Sequence, residues 1–380
     1  MGVFLVLLVA VLAPYLVYSV LILKFGVLAE RRGPDRDVRD GPGSGRPGFS
    51  IVIPTYNEEE LIGKKLDDTL ALDYPRELLE IVIVDSSTDS TPEIVGGYQE
   101  RYPFIKLIRE KERGGLAVAL NTAYRAASLD IVVKTDCDSF LDRKALFYAA
   151  LSFADPGVGA VTGRQAVLNE AKVEEGYRSL QHWVQVAESN LDSTIIFHGP
   201  FSAYRRGLVV PIDPESLADD SELAVKVRKQ GYRAIYNPEI RFYEASQSSF
   251  FKRRLQKDRR GRGLIRLLLQ HRDVLFNPKY GRYGLVVFPA NYFMMIVSPY
   301  LFLALLLAGL WEFYPLSLGL LVFLVVFVYL GQANRLYMLE PLYSFLDAQI
   351  SLLLGGLSLL RGGQQGGTWE VDQELRDVYR

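Results

Sequence analysis

The run Leu129-Asp130-Ile131-Val132-Val133-Lys134-Thr135-Asp136-Cys137-Asp138 carries an apolar segment, residues 129–133, into two carboxylates one residue apart. A short β-branched run with a polar end reads as a buried strand breaking into a turn. Asp136 and Asp138 stand at i and i+2, so a turn can aim both at one point, where paired hard oxygen donors hold a divalent cation against a diphosphate. Acidic pairs at strand ends also serve as turn caps, and the neighbouring segments have to separate the two readings. Cys137 is the one cysteine of the chain, which excludes an intramolecular disulfide. Between two acids it reads as a spacer rather than a nucleophile.

Working outward, residues 50–54 and 80–85 are further β-branched runs ending in polar residues, with helical patterns near 58–72, 91–101 and 115–127. Alternating strand and helix predict an α/β domain with a parallel sheet whose ligands collect at the carboxyl ends of its strands. Thr55-Tyr56-Asn57-Glu58, Asp85-Ser86-Ser87-Thr88-Asp89 and Asp136-Cys137-Asp138 share that edge. No Gly-x-x-x-x-Gly-Lys-Ser/Thr and no Gly-x-Gly-x-x-Gly after the first strand offers a phosphate cradle. Phosphates then fall to the strand-edge acids through magnesium or manganese.

Two acidic sites keep two readings each. Asp85 is placed either to hydrogen-bond a nucleobase or ribose, or to cap the helix beginning near Thr91. In Ala218-Asp219-Asp220-Ser221-Glu222-Leu223 the acids either favour a helix N-terminus through its dipole or supply a carboxylate that takes a proton from an acceptor hydroxyl. His182, His198 and His271 are too scattered for a metal site.

The chain has 380 residues, is 49% hydrophobic and carries a net charge of −1, enough for a large domain plus membrane spans and with no charge surplus that would point to nucleic acid. Residues 3–23 are apolar and uncharged and precede Lys24, Arg31 and Arg32, the reverse of a cleaved signal. They predict a retained anchor whose following domain is cytosolic. Residues 285–310 and 316–330 predict a membrane hairpin. Residues 341–360, with Asp347, Gln349 and a glycine pair, predict an interfacial helix, and residues 250–270 a basic amphipathic one on the bilayer surface. Within the latter, Gln256-Lys257-Asp258-Arg259-Arg260 either meets lipid headgroups or neutralises a leaving diphosphate. The expected organisation is an anchor at 1–24, a linker at 25–48, a catalytic domain at 49–245, basic interfacial helices at 246–283, a hairpin at 284–334 and a C-terminal interfacial and cytosolic segment at 335–380.

Five strings in order, from Ile51-Val52-Ile53-Pro54-Thr55-Tyr56-Asn57-Glu58 through Val84-Asp85, Asp136-Cys137-Asp138 and Asp219-Asp220 to Gln256-Lys257-Asp258-Arg259-Arg260, resemble the membrane-bound family 2 glycosyltransferases, which include cellulose and hyaluronan synthases and lipid-linked sugar transferases. The resemblance implies a GT-A, Rossmann-like domain joined to about three transmembrane helices. It implies that Pro54, Tyr56, Glu58 and Asp85 frame the nucleoside, and that Asp136 and Asp138 hold the diphosphate and Mn2+ or Mg2+, with Asp138 the direct ligand. Asp220 falls on the general base, and Asp219 beside it on an acceptor contact. Gln256, Arg259 and Arg260 match a string that closes over the diphosphate. His198, Gly199 and Trp369 fall where acceptor contacts and a mobile cytosolic loop lie.

Arg260 stands where that family usually has Trp, Leu116 where it often has Lys, and three spans are few for a secretion channel. These departures favour a small lipid-linked sugar transferase over a polymer synthase. The expectation is inverting transfer of mannose from GDP-mannose, with UDP-sugars next, to a polyprenyl- or dolichyl-phosphate or a glycan linked to one, for N-glycan or surface glycan assembly. A processive synthase and a non-catalytic nucleotide-sugar sensor are the alternatives.

Overall fold

The computed structural model describes residues 1–30, 45–167, 175–245, 250–332 and 339–360. The described residues divide into two compact units, one of residues 45–167 and 188–245, the other of residues 1–30, 175–187, 250–332 and 339–360.

The first unit is built on eight strands: β1 Phe49–Thr55, β2 Leu79–Asp85, β3 Ile105–Arg109, β4 Ile131–Lys134, β5 Ser139–Leu141, β6 Val158–Val167, β7 Ser202–Arg205 and β8 Arg233–Glu244. They form one sheet in the order β3-β2-β1-β4-β7-β6-β8-β5. Burial on both faces explains why β1, β2 and β4 are mostly apolar, the exceptions being Ser50 and Glu80, which bond each other, and the polar strand ends Thr55, Asp85 and Lys134. Phe49, Ile51, Ile53, Ile81, Ile83, Ile131 and Val133 enter one core, while Val52, Val82, Val84 and Val132 enter the other. Helices cover both faces, so both registers are buried, as in parallel sheets generally.

Along the chain the helices are α1 Gly2–Glu30, α2 Ile62–Leu70, α3 Thr91–Arg101, α4 Leu116–Ala126, α5 Ala145–Phe153, α6 Glu175–Leu191, α7 Asp219–Lys229 and α8 Phe250–Gln270. Residues of α2, α3 and α5 line the first core and residues of α4 and α7 the second. The predicted helix at 58–72 starts instead at Ile62, because Asn57 adopts a left-handed backbone (φ 54°) that ends the strand in a tight turn.

The expected parallel sheet holds for β1 with β2 and β4, and for β2 with β3. Beyond β4 the sheet is mixed: β6 pairs parallel with β8, but β7 pairs antiparallel with both β4 and β6, and β5 antiparallel with β8. β1 lies between β2 and β4, so the chain winds away from it on both sides. The crevice at the carboxyl ends of β1 and β4 is a topological switch point, where α/β folds bind ligands. Only residues 135–138 separate β4 from β5, although the sheet order puts β5 at its far edge; the sheet curls around that turn.

The second unit contains α1, α8 and the later helices. Within it the stretches Gly2–Leu21, Tyr283–Glu312 and Leu342–Leu359 are helices long and apolar enough to cross a membrane, and Leu316–Gly331 is a shorter apolar helix. Among the described residues the count of three agrees with expectation, but its members differ: residues 316–330, expected to complete a hairpin, form only the shorter helix, and residues 342–359, expected at the interface, are among the long ones. The first helix runs to Glu30, past the expected boundary at 24. These helices are compatible with membrane association. Tyr15 and Ser298 share a 2.9 Å hydrogen bond and Gln349 donates to the Tyr15 hydroxyl at 3.1 Å, tying α1 to two later helices. Polar side chains inside an apolar bundle serve as such interhelical ties.

Candidate active site

The switch-point edge gathers the predicted residues of the first unit. At the end of β1, Asn57 accepts from the Thr88 amide at 2.9 Å and donates its own amide to Ser87 Oγ at 2.7 Å. The Glu58 amide donates to Thr91 Oγ1 at 2.9 Å, so the β1 and β2 loops are laced together. The Arg113 guanidinium lies 3.5 Å from the Tyr56 ring centroid, a cation–π contact. Asp85 is fully buried. Its Oδ1 accepts from Thr55 at 2.8 Å and from Ser87, and its Oδ2 pairs with Arg109. The helix-cap reading of Asp85 therefore falls, and Asp89 serves that end by accepting from the Thr91 amide at 3.0 Å.

The second half of the site centres on a residue that the sequence reading left out. Lys134 ends β4 with its side chain 2% exposed. Its Nζ lies 3.0 Å from Asp136 Oδ1, 3.2 Å from Asp220 Oδ2 and 3.6 Å from Asp219 Oδ2. The strand-end turn and the first turn of α7 thus meet at one ammonium. No side-chain cap bond forms at the start of α7, but Asp219, Asp220 and Glu222 occupy its first turn, where the helix dipole favours acids; Asp219 and Asp220 also turn to Lys134, so the helix-terminus reading stands beside the functional one. The Tyr204 hydroxyl donates to the Asp220 carbonyl at 2.8 Å, and Ser221 Oγ accepts from the Phe197 amide at 3.0 Å, fixing the helix start.

Gly199 belongs to the same cluster. His198 and Phe201 form an isolated bridge just before β7, and Ser202 pairs with Lys134 across the sheet. A Cβ on Gly199 would stand 2.8 Å from both Asp136 Oδ2 and Lys134 Nζ, and 3.2 Å from Asp220 Oδ2. Glycine is what admits the charged groups there. His198 is half-buried, its amide donating to Thr162 Oγ1 at 3.1 Å.

One ammonium against three carboxylates leaves the cluster short of positive charge. Burial, then Asp219, pushes Asp220 up to about 8, against the pull of Lys134. Burial, then Asp136, pushes Asp138 up to about 6. Lys134 is held well above its ordinary value because Asp136, Asp220 and Asp219 outweigh its burial. Asp219 Oδ2 and Asp220 Oδ1 are buried with no hydrogen-bond partner. Surplus negative charge, hard oxygen donors and orphaned carboxylate oxygens fit a divalent cation. Among the described residues no group of three or more His, Cys, Asp or Glu converges as a metal cage. A cation at Asp136 and Asp138 would therefore complete its shell from a diphosphate and water.

A second lysine supports the turn from below. Lys65 of α2 is completely buried and donates to Thr135 Oγ1 at 2.8 Å and to the Ser139 carbonyl. Its signal in the sequence is position: it shares the apolar helical stripe of Ile62, Leu66 and Thr69. Gln256, Arg259 and Arg260 lie on α8 in the other unit, the first two half-buried and Arg260 exposed. Trp369 lies outside the described residues.

Residues 50–210 match the family described as Glycosyl transferase family 2, and residues 131–331 match Glycosyl transferase family group 2. The chain is 28% identical over 291 residues to a probable glycosyltransferase, YdaM, of Bacillus subtilis (strain 168), covering 72% of this chain and 69% of that protein. It is 30% identical over 200 residues to the poly-beta-1,6-N-acetyl-D-glucosamine synthase of Staphylococcus aureus (strain COL), covering 50% of this chain and 48% of the synthase; the chain thus spans about half the length of that relative. Among solved structures, the mannosyltransferase PcManGT from Pyrobaculum calidifontis, in complex with GDP-Man and Mn2+, is 31% identical with a TM-score of 0.73, over 94% of this chain and 100% of that one.

Proposed function

We propose, for a chain that belongs to the family 2 glycosyltransferases, that it transfers mannose from GDP-mannose, with inversion, to a polyprenyl- or dolichyl-phosphate or to a glycan carried on one, at the cytosolic face of a membrane. The observation that carries the reading is the meeting of the Asp136 turn with Asp219 and Asp220 at Lys134. The reading takes Asp136 as donor-holding and Asp220 as proton-accepting, two carboxylates on one ammonium. The choice of mannose is supported by likeness to a mannosyltransferase held with GDP-Man and Mn2+.

In this reading the loops after β1 and β2, with Pro54, Tyr56, Glu58 and Asp85, frame the nucleoside. A divalent cation held by Asp136 and Asp138 would neutralise the departing diphosphate. Asp220 takes the proton of an attacking hydroxyl, and its raised pKa suits it to that work near neutral pH. A phosphate acceptor needs little such help. His198 and Gly199 border the acceptor side. Arg259 and Arg260, with Gln256, offset the leaving charge, and the basic face of α8 favours an anionic lipid surface. Direct displacement with no enzyme nucleophile inverts the anomeric centre.

The staphylococcal synthase supports a second reading, processive polymerisation of a UDP-sugar. Radiolabel transfer from a panel of GDP- and UDP-sugars, with Mn2+ or Mg2+, into solvent-extractable lipid or precipitable polymer decides between them. Label from GDP-mannose in a single-sugar lipid is expected. Long polymer from a UDP-sugar selects the synthase, and donor binding with no transfer selects a sensor.

A further inference from the structure

We propose that Lys134 is a positioning residue that tethers the base, Asp220, to the donor-binding turn, so that the two halves of the transfer reaction are held in one register. The inference rests on the glycosyltransferase assignment of Asp136 and Asp220 above and adds a role for the residue between them.

Three observations carry it. First, the Lys134 stem is buried at the end of β4, and its ammonium reaches a carboxylate on each of two elements, Asp136 at 3.0 Å and Asp220 at 3.2 Å. Second, the contact divides the Asp220 carboxylate. Oδ2 accepts from Lys134 while Oδ1, itself buried, has no hydrogen-bond partner. The first oxygen fixes the rotamer and the second is left for an acceptor hydroxyl. Tyr204 and Ser221 anchor the α7 backbone but not this side chain. Third, Gly199 leaves the room the contact needs, since a Cβ there would stand 2.8 Å from the Lys134 ammonium and 3.2 Å from Asp220 Oδ2. Misplacing a reacting group by about 1 Å costs on the order of 10²-fold in rate, so a tether of this kind is read in kcat. It should not be read in donor affinity, because Lys134 competes for Asp136 with whatever cation that carboxylate binds.

The test uses the full chain in lipid, with GDP-mannose as donor probe and Mn2+ binding in the presence of GDP followed by electron paramagnetic resonance. Lys134→Met is expected to lower kcat by roughly 10²-fold while Mn2+–GDP affinity stays level or tightens, and Lys134→Arg to recover part of the rate. Gly199→Ala, which crowds the ammonium without removing it, should show the same split and carries the test if Lys134→Met does not fold. Wild-type kcat in both Lys134→Met and Gly199→Ala overturns the tether. So does a loss of Mn2+–GDP affinity matching the loss of kcat, which would mark a structural role. If Asp138→Ala and Asp220→Asn also keep full activity, the assignment of the site fails instead, and the two failures are told apart.

Discussion

Each unit buries a cluster of charged side chains, and the two differ in their balance. In the unit with the long apolar helices Asp347 accepts from Arg254 at 2.7 Å and from Lys257 at 3.0 Å, and Arg254 also pairs with Asp258 at 3.1 Å. Two cations meet two acids. In the catalytic unit one ammonium faces Asp136, Asp219 and Asp220. A balanced network offsets its own desolvation and holds helices in place. An unbalanced one tolerates like charges at close range, a strain that persists where function requires it. The difference separates an ionic staple from a working site, and substitutions should push the two in opposite directions.

The largest effect is expected at the metal turn. Asp138→Ala should abolish Mn2+-dependent GDP binding and reduce transfer by about 10³-fold or more, since metal stabilisation of a leaving charge is worth several kcal/mol. Isothermal titration with Mn2+ and GDP checks the first part and radiolabel transfer the second. Asp220→Asn comes next, lowering kcat for a hydroxyl acceptor by roughly 10² to 10⁴-fold while donor binding persists. It should also raise the melting temperature, because it removes one of the crowded carboxylates. Loss of both activity and stability would mean that the cluster is a staple after all.

Much of this was legible before the structure, for a physical reason. β1, β2 and β4 are buried on both faces and so read as apolar runs broken only by Ser50 and Glu80, and the polar residues at their ends stand out against them. β6, Val-Gly-Ala-Val-Thr-Gly-Arg-Gln-Ala-Val, carries two glycines and three polar residues, and β7 has four residues; neither signals a strand, so the mixed half of the sheet stayed hidden. In the site, Asp136, Asp138, Asp220 and Gly199 were found through strings. Lys134, Lys65 and Arg109 were not, because a lysine or arginine beside a strand or on a short helix ordinarily reads as solvated. The burial of the two lysines, and the pairing of the exposed Arg109 with Asp85, come from elements far apart in sequence, such as the 86-residue separation between Lys134 and Asp220.

Asp347→Asn probes the other side of the comparison. It leaves Arg254 and Lys257 without their shared carboxylate inside an apolar helix packing, a change expected to cost about 3 kcal/mol, the lower end for a broken buried pair, since Lys257 is partly solvated. The melting temperature should fall, while Mn2+–GDP affinity of the folded protein stays at the wild-type level. A matching loss of affinity would show that Asp347 serves more than packing.

The smallest effect is a pH slope that belongs to one cluster. In the folded protein Asp138 and Asp220 are lifted to about 6 and about 8, above the ordinary aspartate value of 3.8. Between pH 4 and pH 8 the folded state therefore holds protons that the unfolded chain releases. Stability then falls as pH rises through that window, with Lys134 charged throughout and adding no slope. In EDTA the melting temperature should be several degrees lower at pH 8 than at pH 5, on the order of what 1–2 kcal/mol produces in a domain of this size. Saturating Mn2+ with GDP should flatten the slope, because a bound cation stabilises the ionised carboxylates. Asp220→Asn should flatten it without metal, whereas Asp347→Asn should shift the whole curve down and leave its slope. A slope unaffected by Asp220→Asn would move the source of the pH dependence away from the cation-poor cluster.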